Sequence, residues 1–98
     1  KYQDTITICR KLLELKESTP KAYKYIGKSM LALGEIHSAR SYLNKVLEIN
    51  SNDFETFKDL GNTYQKEGEI NQAKSFYQKA LEINPSYAPA LTNLGTLE

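Results

Sequence analysis

This 98-residue sequence superimposes on itself at an offset of 34. Gly27, Gly61 and Gly95 fall in register. Gly34-Glu35-Ile36 falls on Gly68-Glu69-Ile70, and Leu47-Glu48-Ile49-Asn50 returns as Leu81-Glu82-Ile83-Asn84. Segments 20–53 and 54–87 share 12 identities over 34 aligned positions, where unrelated chains of ordinary composition share about two. Many of the other pairs are conservative: Tyr23 with Phe57, Ile26 with Leu60, Tyr42 with Phe76. The register runs backwards, placing Tyr2, Thr5 and Ile8 on Ile36, Ala39 and Tyr42. It also runs forwards, placing Leu94-Gly95 on Leu60-Gly61. A unit this short cannot cover its own apolar stripe, so successive units must stack.

Each unit reads as two helices. In 54–67, Phe54, Phe57, Leu60, Gly61 and Tyr64 recur at spacings of three and four and draw one stripe along a helix. In 70–83, Ile70, Ala73, Phe76, Tyr77, Ala80, Leu81 and Ile83 make a broader one. Gly68 suits the left-handed residue that ends the first helix. Asn84-Pro85 stops the second, because the residue before proline avoids the helical region. Thr19-Pro20 reads as an N-cap followed by a first-turn proline, and Asn52 with Glu55 has the spacing of a capping box. Helices are expected near 2–16, 20–33, 36–49, 54–67, 70–83 and 88–98, with no run of strand periodicity. The expected organisation is one segment over 1–98. It comprises the second helix of a partial repeat at 1–19, full repeats at 20–53 and 54–87, and the first helix of another at 88–98.

Gly27, Gly61 and Gly95 lie in helix interiors, where glycine costs about 1 kcal/mol relative to alanine. Three equivalent placements predict close backbone approach, with Ala39 and Ala73 as the small residues of the partner helices. Tyr64 and Tyr77 are expected to fill the wider end of the same wedge.

These residues resemble the tetratricopeptide repeat. The family pattern stands here as Phe57-x-x-Leu60-Gly61-x-x-Tyr64, Ala73-x-x-x-Tyr77 and Pro85. The preceding repeat is looser: Tyr23, Ile26-Gly27, Met30, Ala39, Leu43, with Ser51 in place of the proline. Ala90-Leu91-x-x-Leu94-Gly95 begins another. The resemblance implies an all-α fold, an α-solenoid of antiparallel helix pairs in a right-handed superhelix of 34-residue repeats. First helices would line a concave face that holds a peptide or short helix of a partner protein. It implies protein–protein interaction in a scaffold or adaptor role and no catalysis.

The inner face of 20–33 carries Lys21, Lys24, Lys28 and Leu31, with Tyr25 at its edge. In 54–67 it carries Glu55, Lys58, Asp59, Asn62, Gln65 and Lys66, and in 88–98 Thr92, Asn93 and Thr96. The candidate peptide-groove residues are Lys21, Lys24, Lys28, Lys58, Asn62, Gln65, Lys66 and Asn93, with acidic peptide segments as candidate partners. One family subset grips a terminal carboxylate with a Lys and an Asn on one first helix, an Asn on the next, and cations on a third. Lys58, Asn62 and Asn93 match that register, and the third helix would lie beyond Glu98. Started at 20–33, only Lys24 matches.

Composition removes several other functions. Lys and Arg total 13 against 12 Asp and Glu, a net charge of +1, which gives no bulk attraction to nucleic acid. No apolar run approaches the ~18 residues of a membrane span. Cys9 is the single cysteine and His37 the single histidine. That rules out an internal disulfide framework, argues against a zinc site, and favours the cytoplasm over secretion. Cys9 aligns with Leu43 and Tyr77 and reads as a buried thiol, while His37 aligns with Asn71 and reads as exposed. No catalytic, cofactor or metal residues are expected. Two alternatives stand beside the adaptor reading. The first is an accessory region of a larger enzyme of glycosyl- or sulfotransferase type, because the chain begins at Lys1 and its end repeats are partial. The second is a self-assembly module, in which Leu91, Leu94 and Leu97 at one end meet Tyr2, Ile6, Ile8 and Leu12 at the other.

Overall fold

A computed structural model describes residues 19–97. The helix expected near 2–16, Cys9, the apolar residues Tyr2 to Leu12 and Glu98 lie outside the described residues. Five helices occur among the described residues: α1 Pro20–Ala32, α2 Ile36–Ile49, α3 Phe54–Lys66, α4 Ile70–Ile83 and α5 Ala88–Leu97. There is no strand among them. The fold is all-α, built of antiparallel helix pairs. The chain divides into two compact units, 1–51 and 52–98. In the first, α1 packs on α2. In the second, α4 packs on both α3 and α5.

The helix ends follow local chemistry. Thr19 Oγ1 accepts the Ala22 N–H at 3.1 Å, with Pro20 in the first turn. At the end of α1, Gly34 takes φ +84°, the Glu35 N–H donates to Met30 O at 2.9 Å and the Gly34 N–H to Leu31 O at 3.1 Å. The end of α3 repeats this two-bond cap: Gly68 has φ +78°, and the Glu69 N–H donates to Tyr64 O at 2.9 Å. Asn84 is extended and ends α4 before Pro85. One cap differs from expectation. Asp53, not Asn52, precedes α3, and its Oδ1 accepts the Thr56 N–H at 3.3 Å. Asn52 and Asp53 both carry a capping oxygen, and the helix starts one residue later than the Asn52 reading requires.

The first unit buries Ile26, Met30, Leu31 and Ala39, with Ile36 and Tyr42 packed against them. Leu43 and Val46 are fully buried on α2. The second unit buries Leu60, Ala73, Tyr77, Ala80 and Ala90. Of the broad stripe expected on α4, Ile70 and Ile83 at its two ends are exposed. Phe76 stacks on Tyr64 with centroids 5.3 Å apart and lies 6.3 Å from Phe57. Lys79 Nζ stands 5.1 Å from the Phe76 ring centre. In the first unit Tyr23 and Tyr42 lie 6.3 Å apart under Lys45 in the corresponding places.

The interior glycines work differently from the expectation. A Cβ on Gly27 would stand 2.8 Å from Leu43 Cδ2 and 3.5 Å from Ala39 O. A Cβ on Gly61 would stand 2.5 Å from Tyr77 Cε1. What each glycine admits is a large side chain of the second helix, more than its backbone. Tyr77 therefore lies at the tightest point of the wedge and not at its wide end. Gly95 is exposed, and a Cβ there would meet nothing within 4 Å.

Candidate functional site

The face of α3 that turns away from its apolar stripe carries Lys58, Asn62 and Gln65, and α5 adds Asn93. Helical spacing of three and four residues stacks the α3 members on one side. Beneath them lies Tyr77 of α4, whose ring is fully buried against Gly61. The ring cannot end in a bare hydroxyl there, because a buried phenol needs a partner. Its oxygen lies 2.6 Å from Asn62 Oδ1 and 2.7 Å from Gln65 Oε1. Asn93 Nδ2 donates to the same Asn62 Oδ1 at 3.0 Å. The three helices of this unit thus meet in a small polar cluster, with three half-buried amides over a buried phenol.

The phenol is pushed up from 10.0 to about 12. Burial is the main cause, since it penalises the charged phenolate. The Asn93 amide, which hydrogen-bonds to the oxygen, acts in the opposite sense, and the negative charge of Asp59 adds to the rise. Tyr77 is a neutral hydrogen-bonding group throughout the physiological range.

Lys58 is less available than its place on the face suggests. Its Nζ lies 2.7 Å from Asp59 Oδ1, with only 15% of the lysine side chain and 4% of the aspartate side chain accessible. Adjacent residues on a helix do not face one another, so the lysine stem folds across to reach the carboxylate. Asp59, expected on the open face, is buried, and so is Leu31 on α1. Of the other candidates, Lys66 is exposed in the last turn of α3. Lys21 is exposed on α1 with its Nζ 6.0 Å from the Tyr25 ring centre. Lys24 and Lys28 are half-exposed on α1.

The structure therefore brings Asn62, Gln65 and Asn93 together and pairs Lys58 with Asp59. Lys21, Lys24 and Lys28 are carried by α1 of the first unit. Sequence reasoning missed the Tyr77 hydroxyl, which it read as part of the wedge. A signal was present, because the positions of Tyr77, Asn62 and Gln65 carry Leu43, Lys28 and Leu31 one repeat earlier. His37 is exposed, as expected. Among the described residues no group of three or more His, Cys, Asp and Glu could hold a metal ion. No helix among them is long and apolar enough to cross a membrane.

The sequence model of the tetratricopeptide repeat matches residues 54–87, and a second model of that repeat matches 22–53. No curated protein matches the sequence. Solved structures do match. MamA from Desulfovibrio magneticus RS-1 superposes with a TM-score of 0.88 at 23% identity, over 98% of this chain and 54% of that one. The first TPR of Spaghetti (RPAP3), bound to the HSP90 peptide SRMEEVD, gives 0.90 at 19% identity, over 98% of this chain and 76% of that one. The second TPR domain of human RPAP3, in complex with the HSP70 peptide SGPTIEEVD, gives 0.89 at 16%, over 99% and 81%. The chain spans little more than half the length of the MamA chains. Likeness at these identities establishes the fold.

Proposed function

The chain belongs to the tetratricopeptide-repeat family, whose repeats are protein–protein interaction modules, and we propose that it binds an extended segment of a partner protein through the amides of Asn62 and Asn93. The observation that carries this reading is the hydrogen bond between those two amides, 3.0 Å long and joining α3 to α5. An amide side chain both donates and accepts, which is what a peptide unit offers in return. Two such groups held at a fixed separation match a strand of backbone and tolerate many side-chain sequences. Held amides also lose less freedom on binding than free ones, which favours affinity.

Charge plays the smaller part. Lys58 is already paired with Asp59, so an anionic group on the partner meets a nearly neutral pair. Lys21, Lys24, Lys28 and Lys66 add positive charge that biases association towards acidic segments, an effect on encounter more than on final affinity. In the cell this makes the chain a scaffold or adaptor segment.

A second reading is recognition of a terminal carboxylate. It is favoured by the match of Lys58, Asn62 and Asn93 to the carboxylate-gripping register, and by the peptides held in the two RPAP3 structures. A random dodecapeptide library panned on the immobilised protein tests the main reading. The wild type is expected to enrich acidic, extended peptides, and Asn62→Ala/Asn93→Ala to lower their recovery at least tenfold, as expected for two lost hydrogen bonds of about 1 kcal/mol each. Equal recovery by the double variant, or no enrichment over an unrelated protein, contradicts it. SRMEEVD as free acid and as carboxamide separates the two readings. Binding of both favours backbone recognition, and binding of the free acid alone favours the carboxylate.

A further inference from the structure

We propose that Tyr77 is the positioning residue of this face: its hydroxyl fixes the Asn62 amide with the NH2 group outward, so that the face takes a carbonyl or carboxylate oxygen of the bound peptide at Asn62. The ligand half of this inference rests on the peptide-binding reading. The geometric half concerns the protein alone.

The argument is a count of protons. The Tyr77 oxygen lies within hydrogen-bond distance of two amide oxygens, Asn62 Oδ1 at 2.6 Å and Gln65 Oε1 at 2.7 Å. A phenol carries one proton and donates one hydrogen bond. One of the two amides must therefore present nitrogen to it, and amide orientation is decided by such networks. Asn62 Oδ1 has a second donor, Asn93 Nδ2 at 3.0 Å. Turning Asn62 would set its NH2 against that of Asn93 and force Asn93 to turn too. Turning Gln65 alone removes the conflict. The Gln65 NH2 then donates to the Tyr77 oxygen, and the Tyr77 proton goes to Asn62.

In that network both lone pairs of Asn62 Oδ1 are engaged, and what Asn62 has left to offer is its N–H donors. The partner atom must be an acceptor. Asn93 keeps its own oxygen for a peptide N–H. The first repeat supports the linkage. Where Leu43 replaces Tyr77, Lys28 and Leu31 replace Asn62 and Gln65. The hydroxyl and the amides it orders are present together in one repeat and absent together in the other.

Tyr77→Phe keeps the ring against Gly61 and removes only the hydroxyl. In nitrogen-15-labelled protein without peptide, the Asn62 side-chain amide protons are expected to exchange with water. Tyr77→Phe is expected to shift their signals while leaving those of exposed Asn71 in place. Asn62 amide protons protected from water, or unchanged by Tyr77→Phe, overturn the orientation. With fluorescein-labelled peptides recovered from the panning above, Tyr77→Phe is expected to weaken binding about three- to tenfold, the worth of one ordered hydrogen bond. It should weaken it no further in an Asn62→Ala background. Unchanged binding, or the same loss in both backgrounds, overturns the positioning role. Gln65→Glu is an independent variant. Its carboxylate only accepts, draws the Tyr77 proton away from Asn62, and should weaken binding by the same factor. If panning recovers no peptide, the binding reading falls, while the water-exchange result still decides the orientation.

Discussion

Helices α1 and α2 repeat in α3 and α4 at an offset of 34 residues, and the two pairs share their packing while differing in the chemistry of one face. In both, a helix-interior glycine admits a side chain from the second helix: Leu43 at Gly27, Tyr77 at Gly61. In both, Ala39 or Ala73 is fully buried and a lysine covers an aromatic ring. The difference begins at the residue the glycine admits. Leu43 ends in methyl groups, and the position of Gln65 is held by Leu31, buried with it in the apolar core. Tyr77 ends in a hydroxyl, and amides stand over it. One larger side chain with a polar end turns an apolar contact into an ordered polar face, and the small residues that set the packing need not change.

Making the second pair like the first is the strongest way to break this comparison. Tyr77→Leu leaves a gap at Gly61 and removes the partner of Asn62 and Gln65, and is expected to destabilise by about 3 kcal/mol. The triple variant Tyr77→Leu/Asn62→Lys/Gln65→Leu should recover part of that loss, measured by urea denaturation. If the triple variant is less stable than the single one, the two faces are not alternative solutions of one scaffold.

Alkaline titration comes next. The native phenol lies at about 12 against an ordinary value of 10.0, so the folded state holds its proton more tightly than the unfolded chain. The stability this contributes is intact below pH 10 and is lost as pH rises from 10 through about 12. The full loss is on the order of 2–3 kcal/mol. Denaturation midpoints at pH 9 and pH 12 should fall further in the wild type than in Tyr77→Phe. The first unit has no counterpart of this effect at Leu43.

Smaller differences separate the glycines. Gly61→Ala drives a methyl into a buried ring and is expected to destabilise by about 2 kcal/mol. Gly27→Ala meets Cδ2 and Cγ of buried Leu43 at 2.8 and 2.9 Å, a longer contact with a more adaptable side chain than the Tyr77 ring, and should cost about 1 kcal/mol. Gly95→Ala meets nothing and should stabilise by about 0.5–1 kcal/mol through helix propensity. Thermal denaturation of the three variants gives the order directly, and a Gly27→Ala loss as large as that of Gly61→Ala would remove the distinction between a flexible and a rigid neighbour.

The five described helices and most of their ends were legible in the sequence because local rules decide them. The glycines with positive φ, the proline stop after Asn84 and the Thr19 cap depend on residues within one turn of each other. The start of α3 at residue 54 was legible, but its cap was assigned one residue early because Asn52 and Asp53 carry the same capping chemistry. The face was half legible. Spacing placed Lys58, Asn62 and Gln65 on one side of α3, since a helix fixes direction. It could not show that the Lys58 stem folds onto Asp59, because side-chain conformation decides that. Nor could it show the Tyr77 hydroxyl on Asn62 or Asn93 reaching Asn62, because those contacts span 15 and 31 residues along the chain. Periodicity sees Tyr77 only as a large apolar residue.

The most direct test of a peptide-binding amide face is a titration of nitrogen-15-labelled protein with a panned peptide, following the side-chain amides. Asn62 and Asn93 are expected to shift together and saturably, while Asn71 and Gln78 on the exposed side of α4 stay in place. Binding that moves Asn71 or Gln78 and leaves Asn62 and Asn93 unmoved would contradict the account.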